Sequence, residues 1–127
     1  MNVRAATLLL VGAMSVPWYA AGAGDHPGRG TVPKPGAKVI AVAHEYVPSI
    51  VPMVQGRRLS FTNPGPWLHT LTSVQRDDNG APVFHSGLVG FASTAEVAGA
   101  ARLKPGSYEF YCWLHPWMRG RLIVIKP

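Results

Sequence analysis

The sequence predicts an all-β fold, a β-sandwich made of short strands. Short apolar segments rich in β-branched and aromatic residues alternate with turn signals along residues 37–127, which is typical of a small sandwich. No segment keeps the apolar period of about 3.6 residues that an amphipathic helix needs. The chain shows no internal repeat, so residues 37–127 are predicted to form a single domain.

The first predicted strands are residues 39–42, a β-branched run, and residues 50–54. Pro52 interrupts the second run, which indicates an edge strand or a bulge because proline cannot donate to a sheet ladder. A turn is expected at residues 55–57. Apolar and polar residues then alternate over residues 59–62, the pattern of a half-buried strand.

The second half of the domain begins with renewed alternation over residues 69–75. It ends at Asp-Asp-Asn-Gly, residues 77–80, a strong signal for a hairpin turn. Residues 93–103 have room for one short helical turn at most. A strand is expected at residues 107–112, and the last strand, residues 119–125, shows little alternation, which predicts a central position in its sheet.

The N-terminus predicts export. Arg4 precedes an apolar stretch over residues 5–16, and Ala-Gly-Ala at residues 21–23 is a cleavage signature, so residues 1–23 are predicted to be a signal peptide. The alternative is an ordinary buried N-terminal helix. The stretch is too short for a membrane span, which needs about 20 apolar residues. We therefore expect a periplasmic or otherwise exported protein with no membrane span, in which residues 24–36, rich in Gly and Pro, form a flexible tail.

The charge of the chain favours acidic partners. The formal net charge is +6, but the basic residues are scattered, and no motif predicts nucleic-acid binding. Cysteine usage is more informative, since Cys112 is the only cysteine in the sequence. A lone cysteine in an exported protein has no specific role, forms an intermolecular disulfide or binds a metal.

Three soft ligand residues lie close together in the loop before the last predicted strand. Cys112, His115 and Met118 form a C-x-x-H-x-x-M pattern. Blue-copper sites combine one Cys and two His with a weak axial Met. Zinc sites usually have a firmer fourth ligand than Met, and the C-x-x-C-H haem signature is absent. Taken singly, these residues have ordinary alternatives: a buried thiol, a surface histidine and a core methionine.

A copper site of this kind needs a second histidine from elsewhere in the chain. His69 is the best candidate, because it starts a predicted strand directly after the Asn-Pro-Gly-Pro turn at residues 63–66. His44 and His85 are competitors without a comparable context.

The loop at residues 111–120, Tyr-Cys-Trp-Leu-His-Pro-Trp-Met-Arg-Gly, resembles the C-terminal copper loop of the cupredoxins, and the short spacing from His to Met is most similar to the amicyanins. The resemblance extends to residues 46–48, 54–56, 59–63, 69–70 and 84–87. The last of these segments resembles one that is common in plastocyanin-like chains. It implies a Greek-key β-sandwich with one type 1 copper ion. It also implies the ligands His69, Cys112, His115 and Met118, and hydrogen bonds from Asn63 that tie the two ligand loops together.

The resemblance implies an electron carrier that works by outer-sphere transfer. Four protein ligands leave no open coordination position, and the chain lacks the His-x-His pairs of multicopper enzymes, so no enzymatic activity is expected. The expected partner is a transiently bound c-type cytochrome or periplasmic dehydrogenase, and the protein itself is expected to be a monomer. The alternative is a copper storage or delivery protein. The resemblance also raises the hypothesis that His115 protonates and leaves the reduced copper.

Aromatic and apolar residues near the proposed ligands predict a docking patch for the redox partner. They are Trp67, Trp113, Leu114, Pro116 and Trp117. Shielding of the copper from water is the alternative role. Some of the basic residues Arg57, Arg58, Arg119 and Arg121 are expected on the rim of the patch.

A separate copper or nickel site is predicted at the mature N-terminus. Cleavage after Ala23 would leave Gly24, Asp25 and His26 as the first three residues. A free amine, two backbone amides and an imidazole can surround Cu(II) or Ni(II) with four nitrogens. The alternative is a solvated tail.

Overall fold

The computed structural model describes residues 36–127, which form eight β-strands and one short 3₁₀ helix. The strands are β1 Ala37–Val42, β2 Glu45–Val47, β3 Ile50–Val54, β4 Leu59–Asn63, β5 Thr72–Ser73, β6 Ser93–Glu96, β7 Gly106–Tyr111 and β8 Arg119–Ile125, and the 3₁₀ helix is Ala100–Arg102.

The strands form two mixed four-stranded sheets, with the orders β2-β1-β4-β6 and β3-β8-β7-β5. β1 runs parallel to β4 and β3 runs parallel to β8, whereas the other pairs are antiparallel. The predicted all-β sandwich is confirmed. Because β8 lies between β3 and β7, its predicted central position and the predicted edge position of β3 are also confirmed.

The core is formed by the inward faces of the two sheets. Alternate residues of β4 are buried, including Leu59 and Phe61, as the period of two along a strand requires. From the other sheet, Phe110 and Leu122 are fully buried. The ring of Tyr46 in β2 lies 5.7 Å from the ring of Phe61 and 4.9 Å from that of Phe110. These aromatic contacts connect the two sheets beneath the loops that carry the predicted ligands.

Other local predictions have mixed outcomes. The turn at residues 77–80 is confirmed, since the Gly80 N–H donates to the Asp77 carbonyl at 2.9 Å, and so is the short helical turn within residues 93–103. The strand predicted over residues 69–75 is shortened to Thr72–Ser73. The reason is a change of partner, because His69 pairs with Val89 through an isolated bridge and only β5 pairs with β7.

The signal peptide, the tail and the N-terminal Gly24-Asp25-His26 site lie outside the described residues. Within residues 36–127, no helix has the length and apolar character required to cross a membrane.

Candidate metal centre

The topology brings the predicted ligands to one end of the sandwich. Cys112 directly follows β7 and Met118 directly precedes β8, so both belong to the loop that joins two neighbouring strands. His69 precedes β5, which pairs with β7 through Thr72 and Tyr111. The sheet register therefore places the loop of His69 beside the loop of Cys112.

Two backbone hydrogen bonds close the loop of residues 112–118. The Cys112 N–H donates to the Met118 carbonyl at 3.2 Å, and the Met118 N–H donates to the His115 carbonyl at 2.8 Å. Cys112 and Met118 are buried, whereas His115 is only half-buried. The loop thus holds a thiol and a thioether inside the protein and leaves one edge of an imidazole near the surface.

The nitrogen and sulfur atoms converge at a spacing that fits a metal ion. The Cys112 Sγ lies 3.9 Å from His69 Nδ1 and 3.7 Å from His115 Nδ1. One ligand atom from each of the three residues lies within 4.8 Å of the others. Metal–thiolate and metal–imidazole bonds of about 2.3 and about 2.0 Å, set at trigonal angles, separate sulfur and nitrogen by about 3.7 Å. The donor set therefore fits an ion at its centre, with Met118 as the remaining soft residue of the loop.

Both imidazoles are biased toward the neutral form that binds metals. Burial lowers the pKa of His69, and the neighbouring His115 and His44 lower it further, against a hydrogen bond with the Ala43 backbone. Desolvation, followed by the nearby His44, lowers the pKa of His115.

Thr70 connects the two ligand loops. Its backbone N–H donates to the Cys112 Sγ at 3.3 Å, and its Oγ1 accepts a hydrogen bond from the Trp113 N–H at 3.0 Å. Its carbonyl accepts a hydrogen bond from the Tyr46 hydroxyl at 2.5 Å. Burial raises the pKa of Tyr46, so the phenol stays protonated and remains a donor. The segment after His69 is thereby tied both to the sulfur and to the aromatic core.

Asn63 has a different role from the one that the resemblance implies. Its Nδ2 donates to the Trp67 carbonyl at 2.6 Å and to the Val89 carbonyl at 2.8 Å. Its Oδ1 accepts a hydrogen bond from the Gly65 N–H at 3.1 Å. Within residues 36–127, these hydrogen bonds stay on the side of His69 and do not reach the Cys112 loop. Asn63 shapes the turn before His69, whereas Thr70 makes the link between the loops.

His44 lies much closer to the site than the sequence suggests. Its ring centroid is 4.5 Å from that of His115 and 5.9 Å from that of His69. It is also 5.1 Å from the Trp67 ring. The turn between β1 and β2 delivers it, and no local sequence signal marks this contact, because it depends on how the sheets pack.

The five residues of the predicted docking patch are exposed at the surface, and two of them, Trp67 and Trp117, lie beside these rings. Trp67, Trp113 and Leu114 are about half exposed, Trp117 is 68% exposed, and Pro116 is exposed as well. The Trp117 ring lies 5.3 Å from the His115 ring. An apolar surface is therefore present next to the half-buried imidazole.

Comparison with solved structures places the fold. A reduced amicyanin mutant matches with a TM-score of 0.61 and 18% identity over 74% of this chain and 86% of that chain. A purple cupredoxin from Nitrosopumilus maritimus matches with a TM-score of 0.55 and 25% identity over 70% of this chain and 99% of that chain. A copper-containing nitrite reductase from Thermus scotoductus SA-01 matches with a TM-score of 0.59 and 21% identity over 72% of this chain but only 23% of that chain. No family model and no curated protein sequence matches this chain. The fold is the cupredoxin fold, as the sequence predicts.

Proposed function

We propose that this chain, which has the cupredoxin fold, is an exported blue-copper protein that carries single electrons between redox proteins. The observation that carries the proposal is the convergence of the Cys112 sulfur with Nδ1 of His69 and His115 at 3.9 and 3.7 Å. Copper bound there would supply one-electron redox chemistry. Met118 would complete a soft ligand set that favours copper over zinc.

The residues around the site favour electron transfer over substrate chemistry. His69, Cys112 and Met118 are buried, and Thr70 and the closed loop fix their positions, so a substrate has little room to reach the metal. His115 offers the short path to the surface. We infer that electrons enter and leave at this imidazole, which is surrounded by the exposed Trp residues.

A transient acidic redox protein, such as a c-type cytochrome or a periplasmic dehydrogenase, is the partner that this surface suits. The patch is apolar, and Arg119 is bound to it, since its Nε donates to the Pro116 carbonyl at 3.2 Å. Arg121 is paired with Glu109 at 3.4 Å. Arg57 and Arg58 precede β4, at the opposite end of that strand from Asn63 and the metal site. Arg119 is therefore the arginine that we place on the rim.

The first experiment is the visible absorption spectrum of the protein after addition of Cu(II). We expect an intense blue band from thiolate-to-copper charge transfer, absent from Cys112→Ser. A colourless wild-type protein would refute the proposal. The storage alternative is tested on the same sample, because rapid loss of copper to an apo-acceptor, without reversible redox cycling, would favour storage or delivery over electron transfer.

Docking is tested by stopped-flow electron transfer to an acidic c-type cytochrome. We expect Arg119→Gln to lower the second-order rate several-fold at low salt, with the difference disappearing when salt screens the charge. Arg57→Gln is the matched control and should leave the rate unchanged. Equal rates for the two variants at low salt would show that the partner docks elsewhere.

A further inference from the structure

His85 packs against the copper loop without belonging to the set of predicted ligands. Its half-buried ring is stacked on the Trp113 indole, with ring centroids 4.4 Å apart and planes inclined by 28°. Trp113 directly follows Cys112 in the sequence. The His85 ring therefore touches the residue next to the sulfur ligand.

Hydrogen bonds also connect His85 through Thr72 to Thr70, the residue whose backbone N–H donates to the sulfur. Nδ1 of His85 lies 2.9 Å from the Thr72 Oγ1, and the Thr72 hydroxyl donates to the Thr70 Oγ1 at 3.0 Å. The same Thr70 Oγ1 accepts a hydrogen bond from the Trp113 N–H, and the Thr70 N–H donates to the Cys112 Sγ. Every link is within hydrogen-bond distance, and both threonines are fully buried.

The number of hydrogens available along these hydrogen bonds determines which nitrogen of the His85 imidazole is protonated. A hydroxyl has one hydrogen, and Thr72 gives its hydrogen to Thr70. The contact between Thr72 and His85 must then be a donation from the His85 Nδ1–H to the Thr72 oxygen. Nδ1 therefore keeps its proton, and Nε2 is the atom that gains or loses one. Protonation at Nε2 makes Nδ1–H a stronger donor to Thr72, and it places a positive charge on the ring that is stacked against Trp113, the residue next to Cys112.

The electrostatic surroundings of His85 favour its neutral form. Burial lowers the pKa of His85, and the Arg76 guanidinium lowers it further. Arg76 is held in place by a hydrogen bond of 3.3 Å to the Tyr111 hydroxyl. The other described segments that contact His85 present the Thr72 hydroxyl, the Ala98 backbone and the Trp113 indole, none of which carries a charge.

We propose that His85 is a positioning residue of the copper site and that it couples proton uptake to reduction of the copper. This inference rests on the proposed function. One electron comes from the redox partner and one proton from water binds His85 Nε2, so no other reactant is required. A cationic His85 stabilises the site after it has gained an electron, and by linkage the reduced site binds the proton more tightly. The reduction potential is therefore higher below the pKa of His85 and falls as pH rises through it.

The test is spectroelectrochemical titration of the full copper-loaded chain between about pH 4 and pH 8, the range in which histidines titrate. We expect the potential of the wild type to fall with rising pH. This dependence should be lost in His85→Gln. It should be weakened in Thr72→Val, which keeps the His85 ring but removes the hydroxyl to which that ring is hydrogen-bonded. Arg76→Gln should move the midpoint to higher pH, because it removes the cation that opposes protonation.

Thr62→Val is the matched control, since among the described residues its hydroxyl pairs only with that of Thr94, at 2.8 Å. It should retain the wild-type profile. A blue protein with a flat profile would overturn this inference and leave the proposed function intact. A pH dependence that survives His85→Gln would also overturn it and place the titrating group elsewhere, for example at His115. If His85→Gln does not fold, Arg76→Gln decides, since an unmoved midpoint refutes the role of His85. Absence of the blue band in the wild type would instead refute the proposed function.

Discussion

Replacing Asn63 with alanine should destabilise the protein and loosen the metal site together. Asn63 is fully buried, and its side chain makes three hydrogen bonds, to Trp67, Val89 and Gly65. A buried hydrogen bond contributes about 1 kcal/mol net, so Asn63→Ala should cost about 3 kcal/mol. For a domain of this size each kcal/mol shifts the Tm by about 4–8 °C, so the apo-protein should melt about 12–24 °C lower.

The same variant should bind copper more weakly. The Asn63 amide holds the carbonyl of Trp67, two residues before the ligand His69. Loss of a residue that orients a metal ligand typically lowers metal affinity 10- to 100-fold. Competition with a chelator of known affinity measures this change. Stability must be compared in the copper-free state, because bound metal raises the Tm by mass action.

The matched control is Asn79→Ala, in the exposed turn at residues 77–80, where the hydrogen bond to the Asp77 carboxylate comes from the Asn79 backbone and not from its side chain. We expect this control to change stability by less than about 0.5 kcal/mol. The reasoning would be refuted if Asn63→Ala unfolded within about 1 kcal/mol of wild type by guanidinium titration, or if both variants bound copper equally well.

Three further predictions concern Met118, the core and pH. Met118→Leu should keep the protein folded and blue but change its reduction potential, whereas Met53→Leu, also a buried methionine, should not; equal potentials would remove Met118 from the ligand set. Gly120→Ala should destabilise by about 1–3 kcal/mol, because an added Cβ would overlap the Phe110 ring, and a wild-type Tm would contradict this packing. Burial lowers the pKa of His69, so the folded apo-protein binds fewer protons than the unfolded chain. Its Tm should hold above about pH 6.5, the ordinary histidine pKa, and decrease below it, and a Tm that does not change across this range would argue against a buried neutral imidazole.

The sequence predicts the features that depend on neighbours along the chain. Three candidate ligands fall within residues 112–118, so their spacing alone shows that one loop carries them. The edge position of β3 follows from Pro52, and the central position of β8 from its lack of alternation. His69 is found by its place after a turn, and the fold then brings it to the sulfur.

Contacts across the two sheets could not be predicted in this way. His44 reaches the His115 ring only because the turn after β1 folds over the site. Two isolated β-bridges, to Thr72 and Ala98, hold His85 in place beside Trp113. Single bridges of this kind produce no periodic pattern in the sequence. The resemblance also assigned the link between the two ligand loops to Asn63, whereas Thr70 makes it. A matching motif does not specify which hydrogen bonds its residues form.

The arrangement of Thr70 gives a physical reason why the site suits electron transfer. Its N–H holds the sulfur at 3.3 Å, its Oγ1 holds the Trp113 backbone, and its carbonyl is fixed by the buried Tyr46. A ligand set that is held by the protein moves little when the charge of the metal changes, which keeps the cost of reorganisation low. Thr70→Val, which keeps the backbone bond to sulfur and removes the bond to Trp113, should therefore slow electron self-exchange more than it shifts the colour of the copper site.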